Sequence, residues 1–229
     1  MKIVSNKDNL QVLHEDNHII VVNKRAGDIV QGDKTGDKPL SDVVKEYIKE
    51  KYNKPGAVFL GVVHRLDRPT TGIVVFARTS KALSRLNDLF KNRETKKTYW
   101  AAVKNQLPKE QGTLVHYLVR NPKNNTSKAH TKEVNNSKKA SLDYTIIRAL
   151  NNYYILEINL HTGRHHQIRS QLSAIGCPIK GDLKYGFNRS NPDGGIHLHA
   201  RQLSFNHPVN KEILNITAPT PNDPVWSSI

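Results

Sequence analysis

Short apolar segments rich in β-branched residues recur along the whole chain, and they constrain the fold more than any other feature. Residues 18–23, 72–77 and 98–103 are of this kind, and residues 153–160 alternate apolar and polar side chains. Segments of this length and composition are typical of β-strands. Because no internal repeat and no Pro/Gly/Ser-rich linker divides the chain, we predict one α+β domain over residues 1–229 with a mixed, mostly antiparallel sheet.

Three segments have the apolar spacing of helices. Ser41 is placed to cap the first helix, and Ser80 precedes the second. The third is predicted to run from residue 162 or 163 to Ile175, with Gly176 as its C-terminal stop. Between the strand-like segments, residues 120–139 are too polar for a core and predict an exposed hairpin or lobe.

The net charge of the chain indicates which kind of partner it binds. Lys and Arg total 35 against 20 Asp and Glu, a net charge of +15 that favours nucleic acid or an anionic membrane surface. No apolar run approaches the roughly twenty residues that span a bilayer. The start of the chain lacks the hydrophobic segment of a secretory signal. We therefore expect a cytoplasmic protein that binds nucleic acid and has no membrane partner.

Cysteine and histidine usage argues against a metal centre. The single cysteine, Cys177, excludes an internal disulfide and a thiolate zinc site, and its place before Pro178 favours a packing role. The eleven histidines form no His-Glu-x-x-His pattern or other spacing specific for a metal. We predict no metal and no cofactor.

One segment carries an unusual concentration of charge immediately before a predicted strand. Asp67 stands between Arg65 and Arg68 within GVVHRLDRPTTG, residues 61–72. Asp–Arg pairs often tie loops together, so a structural role for this acid is as good a reading as a catalytic one from these residues alone.

The motif HRLDRPTTG at residues 64–72 closely resembles the signature around the catalytic aspartate of the RluA-type pseudouridine synthases, and other family motifs follow in order. Residues 15–24 resemble the opening motif, although Arg25 stands where proline is usual and Asp28 replaces a common apolar residue. Residues 97–103, 161–169, 196–200 and 203–208 resemble the later motifs. The resemblance covers roughly residues 11 to 226.

The resemblance implies an isomerase with a defined set of catalytic residues. It makes Asp67 the nucleophile, which attacks either C1′ or the uracil ring. Tyr99 then stacks on the target base and takes part in proton transfer. Arg169 is the basic partner that keeps the acid ionised, and Ile168 packs the base from the other side. Buried structural roles are the alternatives for Tyr99 and Ile168.

Binding of the target uridine adds a second set of residues. A stacked or paired uridine must be flipped out, at a cost of a few kcal/mol, before its glycosidic bond is accessible. His64 and Arg65 are placed to assist flipping, although His64 is equally suited to holding the loop. Arg164, with His165 and His166, is placed at a predicted helix start where it can contact phosphates.

The fold implied by the resemblance is the pseudouridine-synthase catalytic core, with helices and loops around a central RNA-binding cleft. The opening motif near residue 11 leaves no room upstream for the small S4-like RNA-binding domain of many relatives. We expect a monomer that acts on a stem–loop of ribosomal or transfer RNA. The competing hypotheses are a non-catalytic RNA-binding or ribosome-assembly factor and a histidine-based metallohydrolase or nuclease.

Overall fold

The computed structural model describes residues 3–229, which form two compact units. The first unit holds the chain up to Lys96 together with Ala200–Pro221, and the second holds Lys97–His199 together with Asn222–Ile229. The architecture is α+β, as predicted from the sequence. No helix within residues 3–229 is both long enough and apolar enough to cross a bilayer.

The first unit is a sheet with a helix on each face. Its strands are β1 (Val12–Glu15), β2 (Ile19–Lys24), β3 (Gly61–Val62), β4 (Thr71–Ala77), β10 (Leu198–Asn206) and β11 (Ile213–Thr217). They lie in the order β1-β2-β4-β10-β11, with β3 also paired to β4. The first two residues of β10 belong to the second unit. β1 and β2 form an antiparallel hairpin.

The two central strands of the first unit are buried at every position, because both of their faces are covered. Ile20 and Phe76 belong to one core cluster, with α1 (Leu40–Lys51), whereas Val21 and Val75 belong to another, with α2 (Ser80–Asn92). Alternate residues of a strand point to opposite faces, so a strand covered on both sides has to be apolar over most of its length.

The two helices of the first unit begin in different ways. In α2 the Thr79 hydroxyl accepts from the Ala82 amide at 3.1 Å, a normal N-cap. In α1 the N-cap is Pro39, and Ser41 lies buried inside the helix without a capping bond. The prediction that Ser41 caps α1 was therefore wrong by two positions, because the proline already turns the chain into the helix.

The second unit is an antiparallel sheet covered by one helix. Its strands are β5 (Lys96–Val103), β6 (Gln111–Asn121), β7 (Thr126–His130), β8 (Lys138–Ala149) and β9 (Tyr154–Leu160), of which the first residue of β5 belongs to the first unit. They lie in the order β5-β9-β8-β6-β7, and their described pairings are all antiparallel. The polar stretch at 120–139 forms the β6–β7 hairpin and the turn into β8, as expected.

The helix α3 (Gln167–Ala174) packs on this sheet, with Ile168 and Leu172 in the core cluster of the second unit. It is shorter than predicted, because His166 adopts a left-handed conformation (φ 50°) that keeps residues 162–166 out of the helix. Gly176, with φ +76°, follows the helix, as expected of a C-terminal stop. Cys177 is a free, buried core thiol, in agreement with the packing role predicted for it.

Candidate active site

Asp67 lies half-buried in the loop between β3 and β4 of the first unit. The Thr70 amide donates to the Asp67 carbonyl at 3.0 Å and closes a turn around the acid. One residue further on, the Arg68 carbonyl accepts from the Gly27 amide at 2.9 Å. The backbone on the C-terminal side of Asp67 is therefore fixed both by its own turn and by the segment that follows β2.

A buried lysine fixes the same loop from within. Lys24, at the end of β2, is 1% exposed, and its Nζ donates to the carbonyls of Arg25 (2.9 Å), Arg68 (3.1 Å) and Thr70 (2.7 Å). Burial lowers the pKa of Lys24 to about 7, while the charges of Asp28 and Asp67 act to raise it. Lys24 thus clamps the backbone around Asp67, and its charge interacts with that carboxylate.

His64 is part of the framework of this loop. Its Nε2 accepts from the Val75 amide at 3.1 Å, and its ring stacks on Phe90 with a centroid separation of 4.7 Å. The backbone pairing of β3 with β4 ends at Val62, opposite Phe76, so the His64 side chain continues the bonding of β4 where the short strand stops. The structure therefore supports the loop-holding role for His64.

The two arginines that flank Asp67 have different surroundings. Arg68 donates to the Asp37 carboxylate at 2.6 Å and to the Thr35 hydroxyl at 2.8 Å. Arg65 is exposed to solvent. The loop-tying role that an arginine beside an acid can have thus applies to Arg68, whereas Arg65 is accessible to a partner.

The glycine that ends the motif is required by close packing. Gly72 has φ +111°, and a Cβ at this position would lie 2.6 Å from the Ala200 nitrogen and 2.8 Å from its carbonyl carbon. Any other residue would clash with the backbone of β10, and the positive φ would add strain. Gly72 therefore serves the approach of β10 to β4.

In the second unit, Arg169 is held by a buried acid. It lies in the first turn of α3 and is 4% exposed; its Nε and Nη2 donate to the two carboxylate oxygens of Asp182 at 2.7 and 2.8 Å. Asp182 is 1% exposed. Because a guanidinium is planar, this two-point contact fixes its orientation.

Tyr185 supports the same guanidinium. The Arg169 Cζ lies 4.9 Å from the centre of the Tyr185 ring. The Tyr185 hydroxyl accepts from the Ser127 amide at 2.8 Å and lies 2.8 Å from His166 Nδ1. Arg169 is thus packed against a ring that is itself tied to β7 and to the loop before α3.

The other two predicted contacts of the base differ in burial. Tyr99 is half-buried on β5, opposite Ile158 of β9, and packs against the core cluster of the second unit. Ile168 is a member of that cluster and is 4% exposed. For Ile168 this is the core position that the sequence offered as its alternative role.

Arg164 belongs to an ordered loop that precedes α3. Its amide donates to Gln167 Oε1 at 2.9 Å, and its Nε donates to the Lys139 carbonyl at 3.2 Å. The Thr162 hydroxyl donates to the same Gln167 oxygen, and Gln167 Nε2 donates to the Ser141 carbonyl. Arg164 is half-buried there, so the prediction that it stands at a helix start was wrong.

The predicted site residues are distributed over both units. His64, Arg65 and Asp67 belong to the first, and Tyr99, Arg164, Ile168 and Arg169 belong to the second. Lys24 and Asp182 were not predicted as site residues. A lysine at the end of an otherwise uncharged, buried strand was the available signal for Lys24. Within residues 3–229, no group of three His, Cys, Asp or Glu side chains is arranged to hold a metal ion.

Comparison with known proteins agrees with the sequence motifs. Residues 18–174 match the family model described as RNA pseudouridylate synthase. A Synechocystis sp. protein described as an uncharacterized RNA pseudouridine synthase is 32% identical over 226 residues, covering 96% of this chain and 68% of the relative. The ribosomal large subunit pseudouridine synthase D of Nitrosomonas europaea is 34% identical, covering 93% of this chain and 63% of its own length.

A solved structure shares the fold. The human RNA pseudouridylate synthase domain containing 4 superposes with a TM-score of 0.78 and 26% identity, covering 95% of this chain and 91% of the human one. The sequence match and the structural match both extend over most of the chain. The chain therefore belongs to the RNA pseudouridine synthase family, whose members are isomerases.

Proposed function

We propose that this protein isomerises a uridine to pseudouridine in structured RNA, with Asp67 as the nucleophile. The observation that carries the proposal is the loop that bears Asp67. Its backbone is clamped by the contacts of Lys24 with the Arg68 and Thr70 carbonyls and by the turn at Thr70, in a chain that belongs to this family. Holding a reacting group in a fixed geometry is a large part of what an enzyme contributes to rate.

The reaction requires a carboxylate nucleophile and groups that transfer a proton. The N1–C1′ bond breaks and a C5–C1′ bond forms, while C5 loses a proton and N1 gains one. No oxidation state changes, so neither a redox cofactor nor a metal is needed in this proposal. The Asp67 carboxylate attacks C1′ or the uracil ring, and Tyr99 stacks on the base and takes part in the proton transfer.

Arg169 is proposed as the basic partner of Asp67, as the family resemblance implies. A guanidinium near a carboxylate favours its ionised form, which is the nucleophilic one. The two contacts with Asp182 support this role, because they fix the orientation of the Arg169 guanidinium. In this proposal Asp182 is a positioning residue that acts through Arg169.

The proposed substrate is a stem–loop of ribosomal or transfer RNA. The names of relatives from Nitrosomonas europaea and Rickettsia bellii, both ribosomal large subunit enzymes, favour ribosomal RNA. Arg65 is exposed and is the better candidate for filling the space of a flipped base, since His64 is occupied within the loop. Arg164 is proposed to contact phosphate, and Ile168 to back the base. We further propose a monomeric, cytoplasmic enzyme with one catalytic domain.

Mapping pseudouridines in cellular RNA, with and without the gene, tests this function and identifies the target. The expected result is the loss of one or a few pseudouridines, restored by the wild-type gene but not by Asp67→Asn. A map identical in both strains, together with purified protein that converts no uridine in ribosomal or transfer RNA transcripts, would refute the proposal.

A further inference from the structure

A cavity of about 590 Å³ opens in the second unit, and none of the residues that line it has been assigned a role above. It lies between the end of β5, the β8–β9 turn and the segment at 186–192. Its lining combines three cations with two aromatic rings: Lys104, Lys180, Arg189, Tyr153 and Phe187. None of the described residues that line it is Asp or Glu. A cavity of this size is in the range of ligand pockets, about 300–1,000 Å³.

Lys180 is held in place beside an aromatic ring. Its Nζ donates to Asn191 Oδ1 at 2.7 Å and lies 5.7 Å from the centre of the Tyr153 ring. Its amide donates to the Ala102 carbonyl at 2.8 Å, and its carbonyl accepts from the His197 amide at 2.9 Å. A charge and a ring face are therefore presented together from a fixed backbone.

The loop on the other side of the cavity is braced against the core. Asn191 Nδ2 donates to the Gly195 carbonyl at 3.0 Å and to His197 Nδ1 at 2.9 Å. On its other side His197 bonds Asp223 at 2.8 Å, and its ring stacks on Trp226 at 5.3 Å. Trp226 packs in turn on Ala102 and Ile155 of the sheet. The segment that carries Asn191 is thus fixed by hydrogen bonds and by packing on the sheet.

The chemistry of the lining matches a nucleotide. Aromatic faces stack on bases, and lysine and arginine neutralise phosphates. A cavity lined without carboxylates is a poor site for a hard divalent cation, which prefers oxygen ligands. We infer that this cavity binds one nucleotide unit, with the base against Tyr153 and Phe187 and the phosphate near Lys104, Lys180 and Arg189.

The nucleotide is assigned to an RNA strand, and this assignment rests on the proposed function. Lys180 is two residues before Asp182, the acid that holds Arg169, so at most about 7 Å of backbone separates them. A strand that delivers a uridine near Arg169 therefore passes close to the cavity. The net charge of +15 favours a polyanion over a single small anion.

The test is a binding titration with a fluorescein-labelled twelve-residue oligouridylate at low salt. The variants are Phe187→Ala and the double variant Lys104→Glu/Arg189→Glu. The matched control, Lys49→Glu/Lys81→Glu, makes the same charge change at exposed residues of α1 and α2. We expect the Kd of the double variant to rise at least tenfold above that of the control, and Phe187→Ala to raise Kd about fivefold or more.

Ultraviolet cross-linking of the same oligonucleotide should yield adducts on the peptides that contain Tyr153 or Phe187. A separate titration with uridine monophosphate distinguishes an RNA strand from a free nucleotide as the ligand. If uridine monophosphate binds tightly, and the double variant loses this binding but keeps its affinity for oligouridylate, the RNA assignment is overturned in favour of a free nucleotide. No effect of these variants on either ligand, with no adducts at the two rings, would overturn the site itself. Because oligouridylate binding requires no conversion, this result is independent of whether the protein forms pseudouridine.

Discussion

Replacing Asp182 with asparagine tests how Arg169 is held. The substitution keeps the size of the side chain and one carbonyl acceptor but removes the charge that faces the Arg169 guanidinium. Both partners are almost fully buried, and they share two hydrogen bonds of 2.7 and 2.8 Å. The variant would therefore remove a buried counter-charge from a buried guanidinium.

The expected cost follows from that burial. Removing one partner of a buried ion pair costs about 3–5 kcal/mol, and the retained carbonyl of asparagine places the estimate at the lower end. For a chain of this size each kcal/mol lowers Tm by about 2–4 °C, which gives a loss of roughly 6–12 °C. The exposed pair of Lys38 and Glu46, also in hydrogen-bond contact, provides the control. Glu46→Gln should cost less than about 1 kcal/mol, because solvent screens that pair.

Equilibrium urea unfolding measures the loss of unfolding free energy in Asp182→Asn and in Glu46→Gln relative to the wild type. The comparison requires that the m-values are unchanged. Asp182→Asn should also lower the rate of pseudouridine formation, because Arg169 loses its orientation. If Asp182→Asn were within 1 kcal/mol of the wild type, or no less stable than Glu46→Gln, the buried pair would not have the role assigned to it.

Three further predictions concern pH, salt and metal. Burial lowers the pKa of His116, whose Nδ1 contacts Gln171 Nε2 at 3.1 Å. Below the usual histidine pKa the unfolded chain therefore binds more protons than the folded chain, and the free energy of unfolding falls as the pH falls. His116→Gln should therefore lose less unfolding free energy between about pH 7.5 and about pH 5 than the wild type; equal losses would contradict this. RNA affinity should fall steeply with salt, since phosphate contacts dominate binding, and a flat response would remove the electrostatic argument. Pseudouridine formation should proceed in a chelator on pre-folded RNA, and strict dependence on a divalent ion would count against the mechanism.

The elements that the sequence predicted well are those set by local composition. The buried strands β2 and β4 each contain an apolar run, at residues 19–22 and 73–77, because helices cover both faces, and such runs are visible without a structure. The start of α3 was mispredicted because Gln167 Oε1 accepts from the Thr162 hydroxyl and from the Arg164 amide, which holds both residues in a loop. That contact has no periodic signature. The assignment of one domain to residues 1–229 stays a prediction.

In the candidate site, too, local sequence patterns were visible without a structure, whereas contacts between distant residues were not. Asp67 was predicted because its motif is contiguous, whereas Lys24 acts on carbonyls more than forty residues away and Asp182 acts on an arginine thirteen residues before it. Such partners are brought together only by the fold. The sequence also left two roles open for His64, and its contacts with Val75 and Phe90 favour the structural one.

The most direct test of the catalytic assignment is the separation of rate from affinity in Asp67→Asn. Asparagine keeps the shape of the side chain but cannot form the covalent adduct, so pseudouridine yield on a target transcript should be abolished. Affinity for the same RNA should be unchanged or slightly higher, because lysines and arginines supply most of the binding. Wild-type turnover in Asp67→Asn would contradict the assignment, and joint loss of folding and binding would make Asp67 a structural residue.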